Sequence, residues 1–233
     1  MYQQNSAMDL GEARVRESNF ITRVYGWMSF ALAVTGLTAF YVVSNPDLLK
    51  KLATNQLLFF GIIIAEIVLV VAMTAAINKV AYHTMLMMFI AYSVLNGLTF
   101  SLIFVIYTMT SIASTFFATA ATFALMSCYG WYTKKDLTAI GSLCSMALIG
   151  IIVASIVNIF FASSTLYWVI TYIGVLVFVG LIAYDTQKIK AMASHFSINS
   201  EESKKSALMG ALALYLDFIN LFLMLLRIFG DRK

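Results

Sequence analysis

Two aspartates lie inside or at the edge of hydrophobic runs long enough to cross a bilayer: Asp185 in Leu181-Ile182-Ala183-Tyr184-Asp185, and Asp217 in Leu214-Tyr215-Leu216-Asp217-Phe218-Ile219-Asn220-Leu221. A carboxylate at the centre of a membrane helix costs about 2.5–3.5 kcal/mol on insertion scales, so it needs a partner, a proton or a water-filled cavity. Asp217 is therefore read as functional. Glu66, in the middle of Ile64-Ala65-Glu66-Ile67-Val68, has the same need and no cation nearby in sequence. Arg227 is the candidate partner. It stands roughly 15 Å along one helix from Asp217 at 1.5 Å per residue, and its long side chain either reaches back toward the midplane or snorkels to the external interface. Asp185 has a second reading as a solvated cap on a helix end, since Thr186-Gln187-Lys188 follow at once. The helix dipole disfavours an anion at a C-terminus, so helix stability is not what places it there.

The elements that hold these groups follow from composition. The chain is 61% hydrophobic and 11% charged with a single proline, against roughly 25% charged residues in soluble domains. Apolar runs fall at about residues 22–43, 57–77, 84–106, 112–132, 138–161, 165–187 and 207–229, each near the roughly 20 residues that span a hydrocarbon core. Lipid leaves no backbone group unpaired, and the residues between runs are too few for a barrel's alternating strands. The predicted fold is an all-α integral membrane protein with seven transmembrane helices: a polar cytoplasmic tail over 1–21, one membrane domain over 22–229 and a short tail over 230–233. The polar start through Asn19 lacks the pattern of a cleavable signal peptide, so the first run is expected to serve as an uncleaved targeting signal.

Between the runs, Ser44-Asn45-Pro46-Asp47 reads as a breaker and Ala162-Ser163-Ser164 as a tight turn. The longest connection, Thr186 to Ser206, reads as a solvated loop, and its His195 is a weak pH-sensor candidate. His195 and His83 lack the clustered partners of a metal site. Ten of the fifteen Lys and Arg residues fall on the side of the N-terminus, which predicts a cytoplasmic N-terminus and an external C-terminus. These basic residues are scattered over short loops, so the net charge of +4 reflects membrane topology and not nucleic-acid binding. Cys128 and Cys144 both sit in apolar runs, which indicates neither a disulfide framework nor a thiolate site.

The last run has a regular face. Ser206, Gly210, Ala213, Asp217, Asn220, Met224 and Arg227 recur every three or four residues, so they share one side of a helix. Asn220 reads either as interhelical glue or as part of a polar path. Tyr92, Asn96 and Thr99 in the third run, and Ser155 and Asn158 in the fifth, read mainly as interhelical hydrogen-bonding groups.

Leu214-Tyr215-Leu216-Asp217-Phe218-Ile219-Asn220-Leu221-Phe222, with Leu226-Arg227-Ile228-Phe229-Gly230, Gly180-Leu181-Ile182-Ala183-Tyr184-Asp185-Thr186-Gln187 and Glu66, resembles the bacterial branch of the Bax inhibitor-1 (TMBIM) family over about residues 20–230. The resemblance implies a bacterial inner-membrane protein whose seventh helix is central and wrapped by the first six. It also implies a calcium leak controlled by an aspartate pair, which by position is Asp185 and Asp217. Glu66 and Arg227 match acidic and basic positions linked to the permeation route. This chain departs at the end of the second run, where bacterial relatives can have arginines that engage the pair and this sequence reads Ala76-Ile77-Asn78-Lys79. An ammonium does not reproduce a bidentate guanidinium, so a latch of that kind is in doubt here. If apolar residues centred each helix, the two aspartates would differ in depth by roughly 13 Å at 1.5 Å per residue. A seventh helix encased in protein is not centred by lipid and can be displaced toward the cytoplasm.

The expected mechanism is a passive, pH-gated cation path that prefers calcium. Two close carboxylates cannot both ionise cheaply, so they share a proton that holds segments 6 and 7 together. Losing it leaves like charges that separate and offer oxygens to calcium. Two side chains fall short of its roughly 6–8 ligands, so binding at Asp185 and Asp217 is transient and completed by water and carbonyls. The expected partners are the bilayer, calcium and protons, with no cofactor and no nucleic acid. The rival classes are a proton-coupled exchanger using the same acids as a relay, and a non-transporting regulator that binds another membrane protein. An enzyme is not expected: the last run has no lysine for retinal and no Gly-x-Gly-Asp motif is present.

Overall fold

A computed structural model describes residues 2–193 and 200–233, with side chains from Glu17 onward. Its helices are α1 (Tyr2–Val43), α2 (Pro46–Thr54), α3 (Gln56–Ala75), α4 (Tyr82–Phe100), α5 (Ile103–Ile106), α6 (Met109–Tyr132), α7 (Thr138–Phe161), α8 (Ser164–Ala193) and α9 (Glu201–Phe229). Among the described residues, seven stretches are long and apolar enough to cross a membrane: Glu17–Val43, Gln56–Ala75, Tyr82–Ile106, Met109–Tyr132, Thr138–Phe161, Ser164–Ala193 and Glu201–Phe229. These coincide with the seven predicted runs, and the protein is an all-α membrane protein. Burial is concentrated in α9, whose most apolar window is 72% buried, against 11–44% for the other six. His195 lies outside the described residues.

The predicted loop from Thr186 to Ser206 is largely helix, because α8 continues to Ala193 and α9 begins at Glu201. Asp185 therefore sits about two turns inside α8, and its reading as a C-terminal cap is overturned. Hydropathy ends where the apolar run ends, but the helix does not. Thr186, Ile189 and Ala193 are 2–4% exposed and carry the buried face onward, and Glu201 and Glu202 suit the positive end of α9. The Ser44–Asp47 breaker also leads into a helix, with Pro46 at the start of α2, where its missing N–H costs nothing.

The chain forms two compact units, residues 1–106 with 190–215, and residues 107–189 with 216–233. In the first, α1 and α4 approach closely at Gly97, where a Cβ would crowd the Thr35 carbonyl and the Thr38 side chain. That closeness lets buried Thr35 donate its hydroxyl to the Ser93 carbonyl at 2.9 Å and share a 2.7 Å hydrogen bond with the Tyr215 hydroxyl. The Tyr215 ring meets Phe89 and Tyr92 edge-on at 6.3 and 5.8 Å. Leu52 of α2 seats on Val42 and Ile62. At the opposite end of these helices, α4 has no side-chain N-cap of its own. Glu201 supplies one by accepting the Tyr82 N–H at 3.0 Å, and its neighbour Lys205 donates to the Val80 carbonyl at 3.0 Å.

In the second unit, three glycines let α8 lie close to its neighbours. A Cβ on Gly130 would overlap the Ala183 carbonyl oxygen, one on Gly141 would enter the Tyr184 ring, and one on Gly180 would overlap Cys144 Sγ. These contacts flank Asp185. Just beyond it, Gln187 fastens the α6–α7 connection: its amide oxygen accepts the Leu137 N–H and its NH2 donates to the Lys135 carbonyl, both at 2.9 Å. In that connection exposed Asp136 accepts the Thr138 N–H at 2.9 Å. Thr138, first through its hydroxyl and then through this N–H, holds the Asp136 carboxyl below the usual carboxylate range. Phe218 packs edge-on against Phe116 and Phe123 of α6, at 5.5 and 5.6 Å.

Gly130→Ala forces backbone apart and is expected to cost about 1–3 kcal/mol, the usual cost of overpacking. Gly150→Ala, with nothing within 4 Å of the added carbon, is expected to be neutral or slightly stabilising. Thermal unfolding of the two variants in detergent checks the contrast. Gln187→Ala removes two hydrogen bonds worth about 1 kcal/mol each, so the Leu137 amide should exchange its hydrogen at least roughly fivefold faster, while peptides around Ser44 stay unchanged in hydrogen-exchange mass spectrometry.

Candidate functional site

Asp217 projects from the middle of α9 and is 4% exposed, while Asp185 on α8 is half-buried. Their carboxyl groups lie close enough to interact electrostatically and within hydrogen-bonding reach of one another. The offset of roughly 13 Å expected from centring each apolar run at 1.5 Å per residue does not keep the two carboxyl groups apart. A hydrogen bond between two carboxyl groups requires a proton on one of them. Among the described residues, no arginine takes part in this contact. Lys188, one turn beyond Asp185, lies within electrostatic reach of it and stands 6.0 Å over the Tyr184 ring. Asp217 Oδ2 is buried without a hydrogen-bond partner among the described residues. The Cys144 thiol lies within electrostatic reach of Asp217.

The other predicted residues are placed as follows. Glu66 is in the first unit, half-buried on α3, where Oε1 accepts the Thr99 hydroxyl at 3.1 Å. Arg227 is in the second unit, where its guanidinium lies 5.2 Å over the Tyr167 ring and Nη1 contacts Met224 Sδ at 3.8 Å. The partners seen for each lie within its own unit. Asn220 shares the face of Asp217, but its NH2 donates to the Leu216 carbonyl at 2.8 Å, a bond within α9 and not interhelical glue. Asn158 likewise stays local, accepting the Ser163 N–H at 2.9 Å to close the α7–α8 turn. Lys79 is exposed in the turn after α3.

Sequence reasoning missed a stripe on α6. Ser111, Thr115, Thr119 and Ser127 are buried on one side of that helix, at intervals of four or eight. Ser127 accepts the hydroxyl of Thr186, the residue after Asp185, at 3.4 Å. Thr115 Oγ1 is buried without a hydrogen-bond partner among the described residues. The spacing Ser111-x3-Thr115-x3-Thr119 was the available signal, and it resembles ordinary small-residue packing in membrane helices.

The family model described as "Inhibitor of apoptosis-promoting Bax1" matches residues 17–233. The chain is 48% identical to Inner membrane protein YbhL of Escherichia coli K12, with 95% of each chain covered. An uncharacterized protein of Borreliella burgdorferi is 42% identical, with 93% of this chain and 94% of its own length covered. An uncharacterized protein of Rickettsia prowazekii is 40% identical, with 99% and 94% covered. The protein belongs to the Bax inhibitor-1 family.

Proposed function

We propose that this protein is a pH-sensitive, passive calcium leak channel of a bacterial inner membrane, gated by the Asp185–Asp217 pair. The observation that carries the reading is the approach of two carboxyl groups, on neighbouring membrane helices, to within hydrogen-bonding reach. One shared proton ties α8 to α9 and keeps the path closed. When the proton leaves, two like charges face each other in a poorly hydrated site, where mutual repulsion is strong and weakly screened. The helices part, and the freed oxygens meet a cation.

Further support comes from Asp217 Oδ2, a buried acceptor with no donor among the described residues, which leaves an oxygen for a passing ion. Two carboxylates cannot fill the roughly 6–8 oxygen shell of calcium, so residence is brief and suits conduction. Glu66 and Arg227 enter the proposal as acidic and basic groups of the route, and Asn220 as a polar group on the same face of α9. No cofactor and no catalytic step are required. The inner membrane is supported by the name of the Escherichia coli relative. The cytoplasmic N-terminus and external C-terminus are proposed from the Lys and Arg asymmetry.

Calcium flux into liposomes, followed across pH, tests this. In the wild type, flux should rise with pH, because higher pH removes the shared proton, and a single titrating proton limits the rise to about tenfold per pH unit. Asp217→Asn and Asp185→Asn each keep a hydrogen bond to the remaining carboxylate but have no proton to lose, so both should be low and flat across pH. Profiles for the variants that match the wild type would remove the gate.

A further inference from the structure

A second polar site lies at the far end of the second unit, where the fifth and seventh spans end at Phe161 and Phe229 and the sixth begins at Ser164. It is a cleft of about 610 Å³ lined by residues that include Asn158, Ser163, Ser164, Tyr167, Arg227 and Arg232. Arg227 and Arg232 both line this cleft, and each guanidinium lies over an aromatic ring, Arg227 at 5.2 Å from Tyr167 and Arg232 at 6.0 Å from Tyr107. Neither has a carboxylate within salt-bridge distance among the described residues. The nearest acid in sequence, Asp231, is engaged elsewhere, with Oδ2 accepting the Ser111 hydroxyl at 3.2 Å. A stacked guanidinium keeps its donor edge available, and that edge matches a phosphate.

The remaining wall suits the same ligand. Asn158 spends its carbonyl oxygen on the Ser163 N–H, which leaves its NH2 as a donor. The N-terminus of α8 opens on the cleft with the positive end of its dipole. Trp168, which also lines the cleft, stacks on Tyr172 at 5.8 Å, the kind of aromatic pair that marks the headgroup level of a bilayer. Span ends, an aromatic belt and two cations without acidic partners coincide at one place.

We propose that this cleft binds the phosphate headgroup of an anionic glycerophospholipid, with Arg227 and Arg232 clamping the phosphate and Asn158 as a neutral donor. A lipid is favoured over free phosphate because the cleft lies at the bilayer boundary and adds the apolar surface of Trp168 and Ile228 to its donors. The site does not depend on the gating reading, and it gives Arg227 a partner at the interface.

Native mass spectrometry of the full chain in detergent, supplied with phosphatidylglycerol or phosphatidylcholine at equal mole fraction, is the test. The wild type should retain phosphatidylglycerol at least about tenfold better, and Arg227→Gln or Arg232→Gln should weaken retention about tenfold to a hundredfold, the range for losing a charge-assisted hydrogen bond. The double variant Lys50→Gln, Lys51→Gln, which removes exposed charge elsewhere, should have no effect. Equal retention of the two lipids, unchanged retention in the arginine variants, or an equal loss in the lysine variant overturns the site. Arginine-dependent binding of inorganic phosphate without retention of phosphatidylglycerol overturns the lipid assignment. If Arg227→Gln does not fold, the wild-type comparison and Arg232→Gln, at an exposed residue beyond α9, still decide.

Discussion

Two carboxyl groups can meet inside a membrane helix bundle only with a proton between them, and in the proposed reading that contact, between Asp185 and Asp217, couples α8 to α9. Placing both as charges in a low-dielectric setting would set strong repulsion against no compensating cation. A shared proton turns the same pair into a tie between α8 and α9. The glycines at 130, 141 and 180 let backbone, ring and thiol close in on α8 beside Asp185, and Gln187 fixes the next loop to the same turn. A hydrogen bond of this kind is short-ranged, so it needs backbones held to within a fraction of an ångström.

The first unit solves a different problem with neutral groups. Thr35, Ser93 and Tyr215 satisfy one another where α1, α4 and α9 come together, and Thr99 attends Glu66. Residues 201–215 of α9 belong to this unit and residues 216–233 to the other, so Tyr215 and Asp217, two positions apart, serve separate networks. A helix buried over most of its surface is suited to that, because each turn can present different chemistry to different neighbours.

The seven spans were legible in the sequence because lipid demands unbroken apolar runs of roughly 20 residues, and few other constraints write themselves so plainly. The burial of Asp217 was legible too, since it falls in a small-residue stripe on one face of the last run. The position of Asp185 was not. Hydropathy stops at the edge of the hydrocarbon, whereas α8 runs on to Ala193 through residues that hydrophobicity scores as loop. The approach of the two acids is one that centring each apolar run in the bilayer would have forbidden. Asn220 and Asn158 misled for a simpler reason: an amide within reach of its own helix or turn is satisfied there before it can bridge to another. Gly130 carries no mark in the sequence that separates it from Gly150, since only the neighbouring backbone distinguishes them.

The shared proton is the central claim, and it is directly observable. Infrared difference spectroscopy across a pH step reports the carbonyl stretch of a protonated carboxylic acid, which shifts in heavy water. With Glu66 replaced by Gln in every sample to remove the other half-buried membrane carboxyl, the account predicts one such band that disappears as pH rises and is absent from both Asp185→Asn and Asp217→Asn. A band that survives in either variant, or no protonated carboxyl at any pH where the protein is folded, would contradict it.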